Sequence, residues 1–274
     1  MNHNDYEQIK YEVANGVATL TLNRPDRMNA WTRQMHRELT NAIEASNASP
    51  DVGAMVITGA GRGFCAGADI KDTFQKQIVT SAAPQPKAEN TGQSSDWVAL
   101  LRRSKPIIAA VNGASVGVGA TMILPCDIII AAESAKFAMA FVKMGVVPEL
   151  ASSHFLVQRM GFGRASEMCL TGRLYAAAEA FDMGLVDRLV SDDVLLSQAR
   201  STAAEIAANP PPHLRWVKEL LTANGSETDL KAVQQREMDL LQKAYVSPEH
   251  KEAVAAFIEK RKPDYRRAAQ ESAS

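Results

Sequence analysis

Threonines alternate with apolar residues through VATLTL (Val17 to Leu22), placing Ala18, Leu20 and Leu22 on one face, and this period of two predicts a half-buried β-strand. The period then changes. Thr32 is a natural N-cap, and Met35, Leu39, Ala42 and Ile43 recur at helical spacing until Ser49 and Pro50 end the run. Three later runs, AMVIT (Ala54 to Thr58), PIIAAV (Pro106 to Val111) and DIIIAA (Asp127 to Ala132), are apolar without alternation, the pattern of strands covered on both faces. Strand and helix patterns alternate through about residue 190, which predicts an α/β fold with a mostly parallel or spiralled sheet. After the strand-like LVDRLV the pattern turns helical over Ser197 to Ala208, Leu214 to Leu221, Leu230 to Ala244 and Glu249 to Lys260. The chain is expected to divide into a core over 1–195 and a helical region over 196–274. Between Lys76 and Ser95 the sequence is rich in proline and serine, too polar for a core, and reads as an irregular loop.

Composition narrows the class. The 274 residues are 46% hydrophobic and 22% charged, enough for a full core and unlike a disordered or collagen-like chain. Thirty basic residues against 31 acidic leave a formal charge of −1, so no global field points to nucleic acid or to an anionic membrane. No apolar run approaches the roughly 18 residues that cross a bilayer. The opening MNHNDYEQIK, with Asp5 and Glu7, is unlike a signal or transit peptide. Cys65, Cys126 and Cys169 have no paired spacing, so neither a disulfide framework nor a zinc site is expected, and a reducing cytoplasm fits best. The five histidines, His3, His36, His154, His213 and His250, form no ligand spacing either.

Candidate chemistry lies in two glycine turns. GAGRGFCAGADI (Gly59 to Ile70) follows a strand, and its Gly61 to Ala66 satisfies a loose GxGxxA pattern. A dinucleotide site also needs an acid about 20 residues on to hold the ribose, and Glu89 comes too late, inside the polar loop. NGASVGVG (Asn112 to Gly119) is a second turn directly after an apolar strand. Either alone reads as glycine packing. Together, two strand-to-helix turns can each offer a backbone N–H to a carbonyl oxygen that turns negative in a transition state.

Four ordered segments, LNRPDRMNA (Leu22 to Ala30), FCAGADI (Phe64 to Ile70), NGASVGVGA (Asn112 to Ala120) and CDIIIAAESAKF (Cys126 to Phe137), resemble the crotonase, or enoyl-CoA hydratase/isomerase, superfamily. LTGRLYAAAEAFDMGLVDRLV and the AFIEKRKPDY ending fit the same family. The resemblance implies a crotonase-like ββα spiral with a C-terminal helical trimerisation region. It also implies an acyl-CoA thioester as substrate, no separate cofactor, and a homotrimer or dimer of trimers. By the same resemblance the oxyanion donors are the N–H groups of Ala68 and Val118. Arg24, Ala66, Gly67, Asp69, Ile70, Gly117, Phe141 and Lys262 are then candidates for the CoA and acyl site, with Lys71, Lys260 and Arg261 also near the phosphates.

The family's hydratases carry two glutamates over the oxyanion hole, and here those positions hold Thr121 and Phe141, neither of which is a carboxylate. Glu149, in GVVPELASS, resembles the base of peroxisomal-type Δ3,Δ2-enoyl-CoA isomerases. Phe141, Val146, Val147 and Leu150 are expected to give it an apolar surround that raises its pKa. The implied activity is a one-base Δ3,Δ2-enoyl-CoA isomerase. The alternatives are an enoyl-CoA hydratase or thioester hydrolase of the same superfamily, and a catalytically degenerate binding homologue. Cys65 reads as small buried filler, and Phe257, in register with Val254 and Ile258, as adenine wall or helix core.

Overall fold

Asn15 and Gly16, both at positive φ, fold β1 (Ile9–Ala14) back on β2 (Val17–Leu22) as an antiparallel hairpin. The structure, a computed structural model, describes residues 6–69, 96–265 and 267–268. Expectations placed on Ile70, Lys71 and the Lys76 to Ser95 stretch lie outside the described residues. From β2 the main sheet continues in parallel through β3 (Ala54–Gly59), β5 (Ile107–Val111), β7 (Ile128–Ala132) and β10 (Arg188–Val190). A smaller second sheet holds β4 (Gly63–Cys65), β6 (Ala114–Val116), β8 (Lys136–Ala138) and β9 (Tyr175–Ala176). Each of β3, β5 and β7 thus gives way after a short turn to a strand of the smaller sheet, and this repeated step is the expected spiral.

Helix α1 (Arg33–Ala48) begins where the sequence places it, with Thr32 Oγ1 accepting from the Met35 N–H at 3.0 Å. Its far end is closed by a buried lysine. Lys105 Nζ donates to the carbonyls of Ser46, Ser49 and Val52 at 2.9, 2.6 and 2.7 Å. Burial, with Arg215 nearby, lowers the Lys105 pKa to about 8.

The remaining helices are α2 (Trp97–Arg103), α3 (Val118–Thr121), α4 (Ser152–Met160), α5 (Phe162–Thr171), α6 (Ala177–Met183), α7 (Leu195–Ala207), α8 (Pro211–Asn224), α9 (Leu230–Tyr245) and α10 (Pro248–Glu259). Leu195, Ala199 and Ala203 of α7 pack on Val17, Val56, Ile108 and Ile130. The alternate residues Leu20, Met55, Ile57 and Ala109 face the larger core on the sheet's other side. Burial on both faces explains the unbroken apolar runs. It also corrects the half-buried reading of VATLTL, because Thr19 is 3% exposed and its hydroxyl accepts from Arg200 Nε at 3.1 Å.

Asp127 joins α2, α8 and the sheet. Its carboxylate accepts from Arg102 at 3.1 Å, Lys218 Nζ at 2.8 Å and the Ile107 N–H at 2.7 Å. Beyond this anchor the helices leave much apolar surface uncovered, with Leu230, Val246, Phe257 and Ile258 all exposed. Phe257, Val254 and Ile258 therefore do not form the core that helical spacing allowed for them, because among the described residues that face of α10 is left exposed.

Candidate active site

The two glycine turns are neighbours because the strands feeding them are paired. β4 runs parallel to β6, with Gly63 opposite Ala114 and Cys65 opposite Ser115. Asn112 straps the turns across, its Oδ1 accepting from the Gly59 N–H at 3.1 Å and its Nδ2 donating to the Gly61 carbonyl at 2.9 Å. Gly67, at φ +111°, lets the first turn double back, and Gly119 lets the second approach it closely. A Cβ on Gly119 would lie 2.1 Å from the Cys65 carbonyl oxygen.

Around Ala68 the backbone bonds are taken by its neighbours. The Trp31 N–H donates to the Gly67 carbonyl at 2.8 Å, and the Asp69 N–H donates to the Trp31 carbonyl at 2.9 Å. Ala68 is left with an N–H that has no acceptor among the described residues. Val118, 7% exposed, opens α3, and its N–H is likewise without an acceptor there because first-turn amides have no intrahelical partner. Its side chain is buried while its backbone donor has no acceptor among the described residues, so the valine leaves the amide intact. Two donors without acceptors among the described residues, on turns whose strands are paired, suit a developing oxyanion.

Thr121 is fully buried, with its hydroxyl 3.4 Å from the Val118 carbonyl. Phe141 is half-buried against the core. Neither position supplies an acid. Glu149 ends an irregular segment that follows β8 and a single 3-10 turn (Val142–Met144). Leu150 and Ala151 after it both adopt left-handed backbone, at φ +54° and +53°, a conformation costing about 1–2 kcal/mol per non-glycine residue. It is held by the Ser152 N–H on the Glu149 carbonyl at 3.0 Å and by the His154 and Phe155 N–H groups on the Ala151 carbonyl. Ser152 Oγ is buried without a hydrogen-bond partner among the described residues.

The expected apolar surround of Glu149 is only partly there. Leu150 and Phe141 pack on the core, but Val147 is 80% exposed and Val146 is also open to solvent. The reason is local, since Gly145 at φ +68° turns the chain outward and no strand or helix carries Val146 to Glu149 back onto the core. Glu149 itself is exposed on the single chain. Protein packed around its carboxyl nevertheless desolvates it enough to hold its pKa above the ordinary carboxylate value. Whole-residue exposure and the surroundings of the carboxyl differ here, and the carboxyl's surroundings govern its protonation.

Of the other residues expected at the site, Ala66 is exposed, with its N–H on the Met28 carbonyl, and Gly117 is half-buried at the entry to α3, donating to the Ala138 carbonyl at 2.9 Å. Lys260 and Lys262 are exposed past the end of α10. Arg261 is taken up by Glu252 and Glu259. Arg24 is also engaged, pairing with Asp69 at 3.0 Å. Cys65 is fully buried and its thiol is pushed up to about 11, which fits its reading as filler. His154 is exposed, edge-on to Phe155, and lines a separate 500 Å³ cavity with Arg102 and Gln158. Among the described residues no three His, Cys, Asp or Glu side chains gather as a metal site requires, and no helix is long and apolar enough to cross a membrane.

Sequence reasoning gave Asn29 no role. Fully buried at φ +53°, it donates from Nδ2 to the carbonyls of Ala60 and Gly63 and accepts the Arg24 N–H on Oδ1, at 2.9, 2.8 and 2.8 Å. Its only signal was its place inside the LNRPDRMNA motif.

The family model described as Enoyl-CoA hydratase/isomerase matches residues 12–268. The 1,2-epoxyphenylacetyl-CoA isomerase of Escherichia coli (strain K12) is 36% identical over 266 residues, covering 94% of this chain and 98% of that protein. A probable enoyl-CoA hydratase of Mycobacterium tuberculosis (strain CDC 1551 / Oshkosh) is 36% identical over 260 residues, covering 95% and 98%. In three dimensions the chain resembles the crystal structure of an enoyl-CoA hydratase from Polaromonas sp. JS666, with a TM-score of 0.85 at 31% identity over 93% of this chain and 98% of that one.

Proposed function

Because this chain belongs to the enoyl-CoA hydratase/isomerase family, we propose that it isomerises a 3-enoyl-CoA to the conjugated 2-enoyl-CoA by one-base proton transfer. The thioester oxygen would sit between the Ala68 and Val118 N–H groups. These stabilise the enolate that forms when Glu149 removes a proton from C2, each donor being worth roughly 3–4 kcal/mol where such a group has been deleted. The same carboxyl returns the proton at C4. The observation that carries this reading is the placing of acids: Thr121 and Phe141 stand where hydratases need glutamates, while Glu149 has a pKa already raised by burial. No cofactor takes part, since the proton leaves and returns through one side chain. The exposed apolar face of the C-terminal helices supports assembly as a homotrimer or dimer of trimers, and three free cysteines support a cytoplasmic setting.

A second reading is favoured by the exposure of Glu149, which gives water access to the carboxyl: an enoyl-CoA hydratase in which Glu149 activates that water. Incubation with 3-enoyl-CoA and, separately, 2-enoyl-CoA, followed by mass spectrometry, tests both. Isomerisation leaves the mass of the 3-enoyl thioester unchanged and yields the conjugated product. Gain of one water on the 2-enoyl thioester without any double-bond shift sinks the isomerase.

A further inference from the structure

Arg24 is expected, from its place in the LNRP turn, to meet a CoA phosphate. The structure gives it other work. Its Nη1 donates to the Ala30 carbonyl at 2.5 Å and its Nη2 to Asp69 Oδ2 at 3.0 Å, with both members of the ion pair mostly shielded from solvent. Ala30 immediately precedes Trp31, and Asp69 immediately follows Ala68. Trp31 makes the two backbone bonds that bracket Ala68. The guanidinium therefore closes the open end of a two-stranded bridge, tying the residue before one bridge partner to the residue after the other. On the far side of Ala68 lies Gly67 at φ +111°, the softest point of the turn. The Trp31 N–H on the Gly67 carbonyl holds the planar Gly67–Ala68 peptide from one side, and the Arg24 tie at Asp69 holds the segment from the other.

We infer that Arg24, with Asp69, is a positioning pair that fixes the aim of the Ala68 N–H, and is not a ligand of the CoA phosphates. The inference rests on the reading of Ala68 as an oxyanion donor. Arginine suits the task because its rigid fork reaches two acceptors at once, whereas a lysine ammonium at the end of a flexible stem holds no such planar geometry. Asn29 supplies the base of the clamp by binding the Arg24 N–H and the Ala60 and Gly63 carbonyls.

The experiment compares Arg24→Met, Arg24→Lys and Asp69→Asn with the wild type in steady-state turnover of a 3-enoyl-CoA, each first checked for native circular dichroism. Asp69→Asn is near-isosteric and keeps the comparison open should Arg24→Met fail to fold. A donor moved by a fraction of its bond length stabilises the enolate less but leaves ground-state binding alone, so kcat should fall by about 10- to 100-fold while KM stays put. Arg24→Lys should recover part of the loss. A KM that rises at unchanged kcat makes Arg24 a phosphate ligand and overturns the proposal, as does unchanged turnover in all three variants. If the wild type converts no enoyl-CoA, the functional reading fails by itself, and the clamp is then read from hydrogen exchange at the Trp31, Ala66 and Asp69 amides. Faster exchange in Arg24→Met supports the pair; identical exchange refutes it.

Discussion

As the proposed base, Glu149 must be ionised to take a proton, yet the protein around it favours the neutral acid. Turnover should therefore fall on the acid side with a midpoint above the ordinary carboxylate value, and a pH–rate profile locates it. Glu149→Gln should abolish the double-bond shift. The same variant carries a stability signature. A carboxyl whose folded pKa is raised contributes stability that is complete below its unfolded pKa and lost as pH rises through the folded value. Once pH exceeds that folded value the ionised Glu149 costs stability, so Glu149→Gln should melt slightly higher than wild type on the alkaline side, with the difference vanishing in acid. A variant that melts lower on that side would place Glu149 in a stabilising contact.

Among elements, the decisive contact is β4 against α3. Gly119 faces the Cys65 carbonyl so closely that a methyl group must push backbone from backbone. Gly119→Ala should separate the Ala68 and Val118 amides, lower kcat by about 100-fold for a displacement near 1 Å, and reduce the melting temperature. Wild-type kcat in this variant would mean that the two turns do not act together. α1 shows a different kind of coupling. Its N-terminus is a local affair of Thr32 and Met35, while its C-terminus is closed by Lys105, a residue far along the chain whose three carbonyl bonds no window of sequence could reveal.

For the whole molecule, α5, α9 and α10 leave large apolar side chains exposed on the single chain, among them Phe162, Leu170, Leu230 and Phe257. Sedimentation velocity should give three or six times the mass of one chain, because closed rotational symmetry buries such a face repeatedly without leaving a free copy of it. A single-chain mass would refute the assembly.

The sequence by itself determined the alternation of strands and helices, the N-cap of α1, both glycine turns and the family, because each is written in neighbouring residues or in an ordered run of motifs. Tertiary structure decided the rest. Only the pairing of β4 with β6 makes one site of two turns separated by some fifty residues. Only packing on two faces turns Thr19 of VATLTL from solvent-facing to buried. The pairing of Arg24 with Asp69 is likewise a product of the fold, since a charged side chain takes the acceptors the fold brings to it, and Asp69 lies beyond any local window.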